Sequence, residues 1–164
     1  MTALLLLAAL APQTTWYVDA SATAPGDGTQ ASPYVSIGYS MAQPSSVTGD
    51  TISVAPGTYV DEQIDFAGKD IHLVSQGGAA QTIVIPPSPI QGVDNSTVRF
   101  ENGEGHSAVL EGFRFTGGRG SAFAQVPSWA TAGGAVFIDQ ASPTIRGCEF
   151  DGCPADHGGA IYMF

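Results

Sequence analysis

Apolar and polar residues follow one another in short pieces along this chain, and no single period is sustained for long. From Thr48 onward the pieces are rich in Thr, Val, Ile and Leu: Thr51 to Val54, Asp70 to Ser75, Thr82 to Ile85 and Thr97 to Phe100. Pro56-Gly57, Gly77-Gly78 and Pro86-Pro87 punctuate them. That composition and spacing predict short β-strands joined by turns. Long helices are excluded, because an interior Gly costs ~1 kcal/mol and a Pro ~3 kcal/mol relative to Ala. Beyond Pro12, the longest stretch free of both is Gln13 to Ala24.

Two pieces return later in the chain. Gly133-Gly134-Ala135-Val136-Phe137-Ile138 comes back as Gly158-Gly159-Ala160-Ile161-Tyr162-Met163, 25 residues on. Leu110-Glu111-Gly112-Phe113-Arg114-Phe115 comes back as Ile145-Arg146-Gly147-Cys148-Glu149-Phe150, 35 residues on. The longer offset suits an insertion, and Arg119 to Thr131, which holds Pro127 and Trp129, is its natural place. A unit of ~25 residues carrying two or three strands is what a coiled β-solenoid requires, since each turn buries its face only when the next stacks on it. Equivalent positions then lie ~4.8 Å apart. Parallel connections of this kind are right-handed in about 98% of cases. The expected fold is therefore all-β, a right-handed parallel β-helix of about five turns at ~24 residues each from Thr48 to Phe164.

Stacking assigns neighbours. Leu110 falls on Ile145, Phe113 on Cys148 and Phe115 on Phe150, all apolar and all inward. Between them, Glu111 falls over Arg146 and Arg114 over Glu149. These opposite charges suit solvent-facing cross-strand pairs worth a few tenths of a kcal/mol each.

Composition narrows the partners. The 164 residues are 43% hydrophobic and 12% charged, with 21 Gly and 11 Pro. Globular domains are ~45–50% apolar, so the chain has enough apolar residues to build a core. A net charge of −10 repels phosphate and leaves no surface for counterion release, which argues against nucleic acid and anionic membranes as partners. Ala3 to Ala11 is an unbroken apolar run. It fits the hydrophobic core of a signal peptide and falls short of the ~20 residues that span a bilayer. The expected organisation is a signal peptide and leader over residues 1–15, an N-terminal strand and cap over 16–47, and incomplete β-helix turns over 48–164. A secreted or cell-surface location without a membrane span follows.

Trp16-Tyr17-Val18-Asp19, Gly26-Asp27-Gly28-Thr29, Ser32-Pro33-Tyr34, Ile37 to Gln43 and Gly49-Asp50-Thr51-Ile52, running into Val54-Ala55-Pro56-Gly57-Thr58-Tyr59, carry a family resemblance. Together they resemble the N-terminal segment of bacterial right-handed parallel β-helix proteins of the pectate-lyase-like superfamily. The Gly-Gly-Ala-Ile-Tyr repeat, preceded by Ala141-Ser142-Pro143-Thr144-Ile145, is similar to repeats of polymorphic outer-membrane proteins. The resemblance implies a first strand, a Gly/Asp turn and a short amphipathic helix capping the open end of the solenoid. Ile37 and Met41, at i and i+4, supply one apolar stripe for that helix, while Gly38 between them weakens it. The architecture carries lyases, glycosidases and non-enzymatic adhesins alike, so the resemblance implies no single activity.

Pectate-lyase chemistry requires Ca²⁺ held by several carboxylates and a nearby Arg or Lys as base. The basic residues are Lys69, Arg99, Arg114, Arg119 and Arg146, and the stacking already pairs Arg114 and Arg146 with carboxylates. Asp139, Glu149, Asp151 and Asp156 are numerous enough to raise Ca²⁺ as a candidate, but their spacing matches no Ca²⁺ loop. No catalytic residue, cofactor or resident metal is assigned. His72, His106 and His157 show no ligand grouping and read as surface or turn residues. Cys148 and Cys153 are open to two readings, a disulfide in an exported protein or two small buried thiols. Asn95-Ser96-Thr97 satisfies the glycosylation sequon and reads first as a turn before a strand.

The candidate binding residues are aromatic. With Val136 and Ile138 inward, Phe137 points outward and Tyr162 stacks beside it one turn later, with Trp129 placed to close one side. Such a platform suits the flat face of a sugar ring, and the same pair also reads as an aromatic ladder that only supports stacking. The chain stops at Tyr162-Met163-Phe164, inside a repeat, which leads to the expectation of a truncated solenoid that self-associates through its open edge. The function expected is a non-catalytic surface or matrix module that contacts polysaccharide. The alternative is a polysaccharide lyase or hydrolase whose active site lies in further turns or in the Arg119 to Thr131 loop.

Overall fold

In the computed structural model, residues 13–60, 62–87, 96–122 and 130–164 are described. The apolar run Ala3 to Ala11, Asn95 of the sequon and Trp129 lie outside them. β1 (Thr15–Val18) is followed by α1 (Ile37–Ala42), then by β2 (Thr51–Val54), β3 (Gly57–Tyr59) and β4 (Ile64–Asp65). β5 (His72–Ser75), β6 (Thr82–Val84) and β7 (Val98–Phe100) come next, then β8 (Val109–Glu111), β9 (Arg114–Thr116) and β10 (Val136–Ile138). β11 (Thr144–Arg146), β12 (Glu149–Asp151) and β13 (Ile161–Met163) complete the order.

The strands form three sheets. The first is β1-β2-β5-β8-β11, the second β3-β6-β9-β12 and the third β4-β7-β10-β13. Every pairing between these strands is parallel. From β2 onward the chain visits the first, second and third sheets in that order four times, each visit laying a strand on its predecessor. The chain is thus nearly all-β, with three parallel sheets of stacked strands, an arrangement compatible with a solenoid. Among the described residues the first sheet holds five strands and the other two hold four each. The connections differ in length: the step from Thr51 to its partner His72 is much shorter than the step from His72 to its partner Val109.

The register between the returning pieces is the one the sequence predicts. Val136 pairs with Ile161, Phe137 with Tyr162 and Ile138 with Met163. Ile145 pairs with Leu110, Arg146 with Glu111, Glu149 with Arg114 and Phe150 with Phe115. Because successive side chains alternate between faces, each aligned position becomes a column through the stack. Ile52, Leu73 and Leu110 form one inner column and are fully buried, with the half-buried Ile145 above them. Tyr59, Val84 and Phe115 form a second, closed by Phe150, whose ring stacks on that of Phe115 at 5.7 Å. The glycine in Leu110-Glu111-Gly112 and Ile145-Arg146-Gly147 has a backbone cause. Both turn the corner at positive φ (+79° and +60°), a conformation that costs most other residues energy.

The short helix α1 forms in spite of Gly38. Ser36 is its N-cap, with its side chain accepting from the Tyr39 N–H, and Ile37, Ser40 and Met41 are its buried residues. Gly38 is there for space: a Cβ added to it would stand 2.5 Å from the Gln63 carbonyl oxygen. Both helix ends are held from the first circuit. The buried Glu62 accepts from the N–H groups of Ile37 (3.0 Å) and Gly38 (2.8 Å) and from the Ser36 hydroxyl (3.1 Å). Lys69 Nζ donates to the Met41 carbonyl at 2.6 Å and to that of Gln43 at 3.3 Å. Anion at the N-terminus and cation at the C-terminus match the helix dipole.

Candidate functional site

One outward column borders a concavity. Thr51, His72 and Val109 are aligned neighbours on β2, β5 and β8 and are half-buried, while the residues that follow them point into the core. With residues just ahead of the strands, among them Asp50, Asp70 and Ser107, this column lines a cleft of about 640 Å³.

The acidic groups around the cleft are held by the fold. Asp50 is 2% exposed. Its carboxylate accepts from the Thr14 N–H at 2.9 Å, from Trp16 Nε1 at 2.9 Å and from the Val47 N–H at 3.1 Å. Burial pushes its pKa up, but these three donors outweigh that and hold it below the ordinary Asp value. Asp70 accepts from the Gly105 N–H through Oδ1 at 2.8 Å, and its own N–H donates to Thr48 Oγ1 at 3.1 Å. Its Oδ2 and the exposed Ser107 hydroxyl take no hydrogen bond among the described residues.

Two positions beyond Val109, Glu111 joins three strands of the first sheet. Arg146 Nη2 donates to Glu111 Oε2 at 2.7 Å, and His72 Nε2 lies 2.7 Å from the same oxygen. The Arg146 bond, and after it the His72 bond, hold the Glu111 carboxyl below its usual range. The pairing of Glu111 with Arg146 follows the predicted register. His72, expected as a surface or turn residue, lies on the outer face of β5 with its side chain 35% exposed, and what the sequence does not signal is its contact with Glu111.

Three of the other four Lys and Arg side chains are also engaged. Arg114 pairs with Glu149 at 2.6 Å, Arg99 pairs with Glu101, and Lys69 caps α1. Arg119 is exposed and forms no ion pair among the described residues. It lines a second, more open cleft of about 380 Å³ with Asp156, whose carboxylate accepts from the Thr131 N–H (2.9 Å) and hydroxyl (3.2 Å). Of the acidic residues weighed as Ca²⁺ ligands, Glu149 and Asp156 are therefore bound to protein groups. Among the described residues no set of three or more His, Cys, Asp and Glu side chains is grouped to hold a metal ion.

The aromatic platform needs correction. Phe137 and Tyr162 do stack, with ring centroids 5.9 Å apart and planes 15° from parallel. Phe137 is nevertheless only 2% exposed, because β10 is covered on both faces, so its ring has no open side for a sugar. Tyr162 is half-buried, and Trp129 lies outside the described residues. Cys148 and Cys153 are free thiols. Cys148 Sγ points to the carbonyls of Leu110 and Arg146, Cys153 Sγ to those of Phe115 and Asp151. Burial pushes the Cys148 thiol pKa up, which disfavours the reactive thiolate.

The sequence contains no signal for the cleft itself. Its walls come from three circuits separated by unequal spacings, and the Asp70 to Ser75 piece has no repeat partner from which its alignment with Val109 could be read. No protein-family model, curated protein or solved structure matches the chain.

Proposed function

We propose that the stacked sheets are turns of a right-handed parallel β-helix similar to the pectate-lyase-like superfamily. On this reading the chain is an exported, non-catalytic surface or matrix module that holds polysaccharide in the cleft over Thr51, His72 and Val109. The observation that carries the reading is the cleft in which Asp50, and Glu111 beside it, are already held by protein donors, while Asp70 keeps one free carboxylate oxygen for a ligand hydroxyl. A general acid or base must be free to exchange a proton with substrate. Asp50 is occupied by three donors and Glu111 by Arg146 and His72, so each is a structural anchor. The concave shape and the unbonded Ser107 hydroxyl support binding. The apolar run Ala3 to Ala11 supports export, and the repeated circuit through three parallel sheets supports the β-helix.

The test incubates the full chain with insoluble cellulose, chitin and mannan, and separately with polygalacturonate and Ca²⁺. Depletion from solution onto at least one polysaccharide, with no reducing sugar and no absorbance from unsaturated ends, is the expected result. Product formation overturns the non-catalytic reading. Absence of both binding and product overturns the polysaccharide reading.

A further inference from the structure

Resting on the polysaccharide reading above, we infer that the cleft over Thr51, His72 and Val109 selects an uncharged, hydroxyl-rich glycan and rejects acidic ones such as polyuronates. The inference rests on which charges face the cleft and which are free to act. Asp50 and Asp70 line it, and Glu111 lies two residues beyond Val109 on the same strand. Among the described residues, His72 is the one basic side chain in the lining. Its Nε2 lies 2.7 Å from Glu111 Oε2, so the ring is already engaged with that carboxylate rather than turned to an incoming anion.

A ligand carboxylate entering this space would leave water and meet like charges with no cation to receive it. Burying a charge without a partner is strongly unfavourable. The usual remedy is a bidentate Arg, and that is missing from the site: Arg146, Arg114 and Arg99 are paired with Glu111, Glu149 and Glu101, and Lys69 caps α1. Arg119, which forms no ion pair among the described residues, lines the other cleft. A sugar hydroxyl suits what the site offers. Asp70 Oδ2 is an unused acceptor, and the Ser107 hydroxyl can donate or accept. Val109 adds an apolar surface for a ring face. The net charge of −10 opposes approach of a polyanion from a distance as well.

Affinity electrophoresis of the full chain in gels containing hydroxyethylcellulose, galactomannan or polygalacturonate tests this. Retardation in at least one neutral gel, and none in polygalacturonate, is expected. Two variants at the exposed Ser107 locate the effect. Ser107→Trp fills the cleft and should reduce neutral-glycan retention at least tenfold with an unchanged melting temperature. Ser107→Lys supplies the missing cation and should give retention in polygalacturonate that disappears at high salt. Retention of the unaltered chain in polygalacturonate at or above that in the neutral gels overturns the selectivity while leaving polysaccharide binding intact. Neutral-gel retention unaffected by Ser107→Trp overturns the assignment to this cleft. Retention in no gel overturns both the selectivity and the polysaccharide reading.

Discussion

Asp50 ties the first strand to the stack, and removing its carboxylate should loosen that end before the rest. In Asp50→Ala the Thr14 N–H, Trp16 Nε1–H and Val47 N–H lose their acceptor together. A donor left unsatisfied costs ~1–3 kcal/mol when buried. These three are partly buried, so the lower bound applies to each and the expected loss is about 3 kcal/mol, a large fraction of the ~5–15 kcal/mol that stabilises a typical domain. Asp50→Asn keeps one acceptor oxygen and should cost about half as much. Urea unfolding followed by Trp16 emission reads the effect, in a Trp129→Phe background that leaves Trp16 as the single tryptophan of the two. The emission of Trp16 should shift to the red at lower urea in both variants. The folded-state pKa of Asp50 is lowered, so the ionised carboxylate contributes fully above the unfolded value of ~3.9. That contribution is lost as pH falls through the folded value. The gap between wild type and Asp50→Ala should therefore be widest at neutral pH and narrow below about pH 4. A gap under about 1 kcal/mol at neutral pH, or one that stays constant on acidification, would refute the reasoning.

Gly38→Ala should destabilise by about 1–3 kcal/mol through overpacking against the Gln63 carbonyl, opposite in sign to the ~1 kcal/mol gain expected from helix propensity; thermal unfolding distinguishes the two signs. Glu62→Gln should cost about 1.5–3 kcal/mol and speed hydrogen exchange at the Ile37 and Gly38 amides, read by NMR. A double-mutant cycle between Glu111 and Arg146, whose side chains are 32% and 57% exposed, should return only about 0.2–1 kcal/mol and vanish at high salt, whereas Leu110→Ala should cost about 2–5 kcal/mol. Thiol titration of the protein unfolded without reductant should count both cysteines as free.

The legibility of this chain depends on whether its turns repeat. Between β8 and β13, where the Gly-Gly-Ala and Leu-Glu-Gly pieces return, the residue-by-residue register was readable, down to Arg114 over Glu149 and Phe115 over Phe150. Earlier circuits gave up β2, β5, β6 and β7 but neither β3 and β4, the first of which starts at the Gly57 read as a turn signal, nor their alignment, because the connections differ in length and no piece recurs. The short helix was expected from the family resemblance, with Ile37 and Met41 as its apolar stripe, and both are buried in α1. Its two clamps, Glu62 and Lys69, were hidden because they act from a different circuit. The exposure of Phe137 was misjudged for a similar reason: alternation assigns a residue to the outer face of its strand, and only the surrounding chain decides whether that face is open. The cleft escaped notice because unequal loops bring Asp50, Asp70 and Ser107 together.

The Ser121–Ala132 bridge has a practical bearing. Ser121 and Ala132 exchange two main-chain hydrogen bonds, at 2.8 and 2.9 Å, and the Ser121 hydroxyl donates to that of Ser96 at 2.8 Å. Those bonds tie the two ends of the connection between β9 and β10 to each other and to Ser96, so a substitution at Ser121 reaches the approach to β7 as well as the exit from β9.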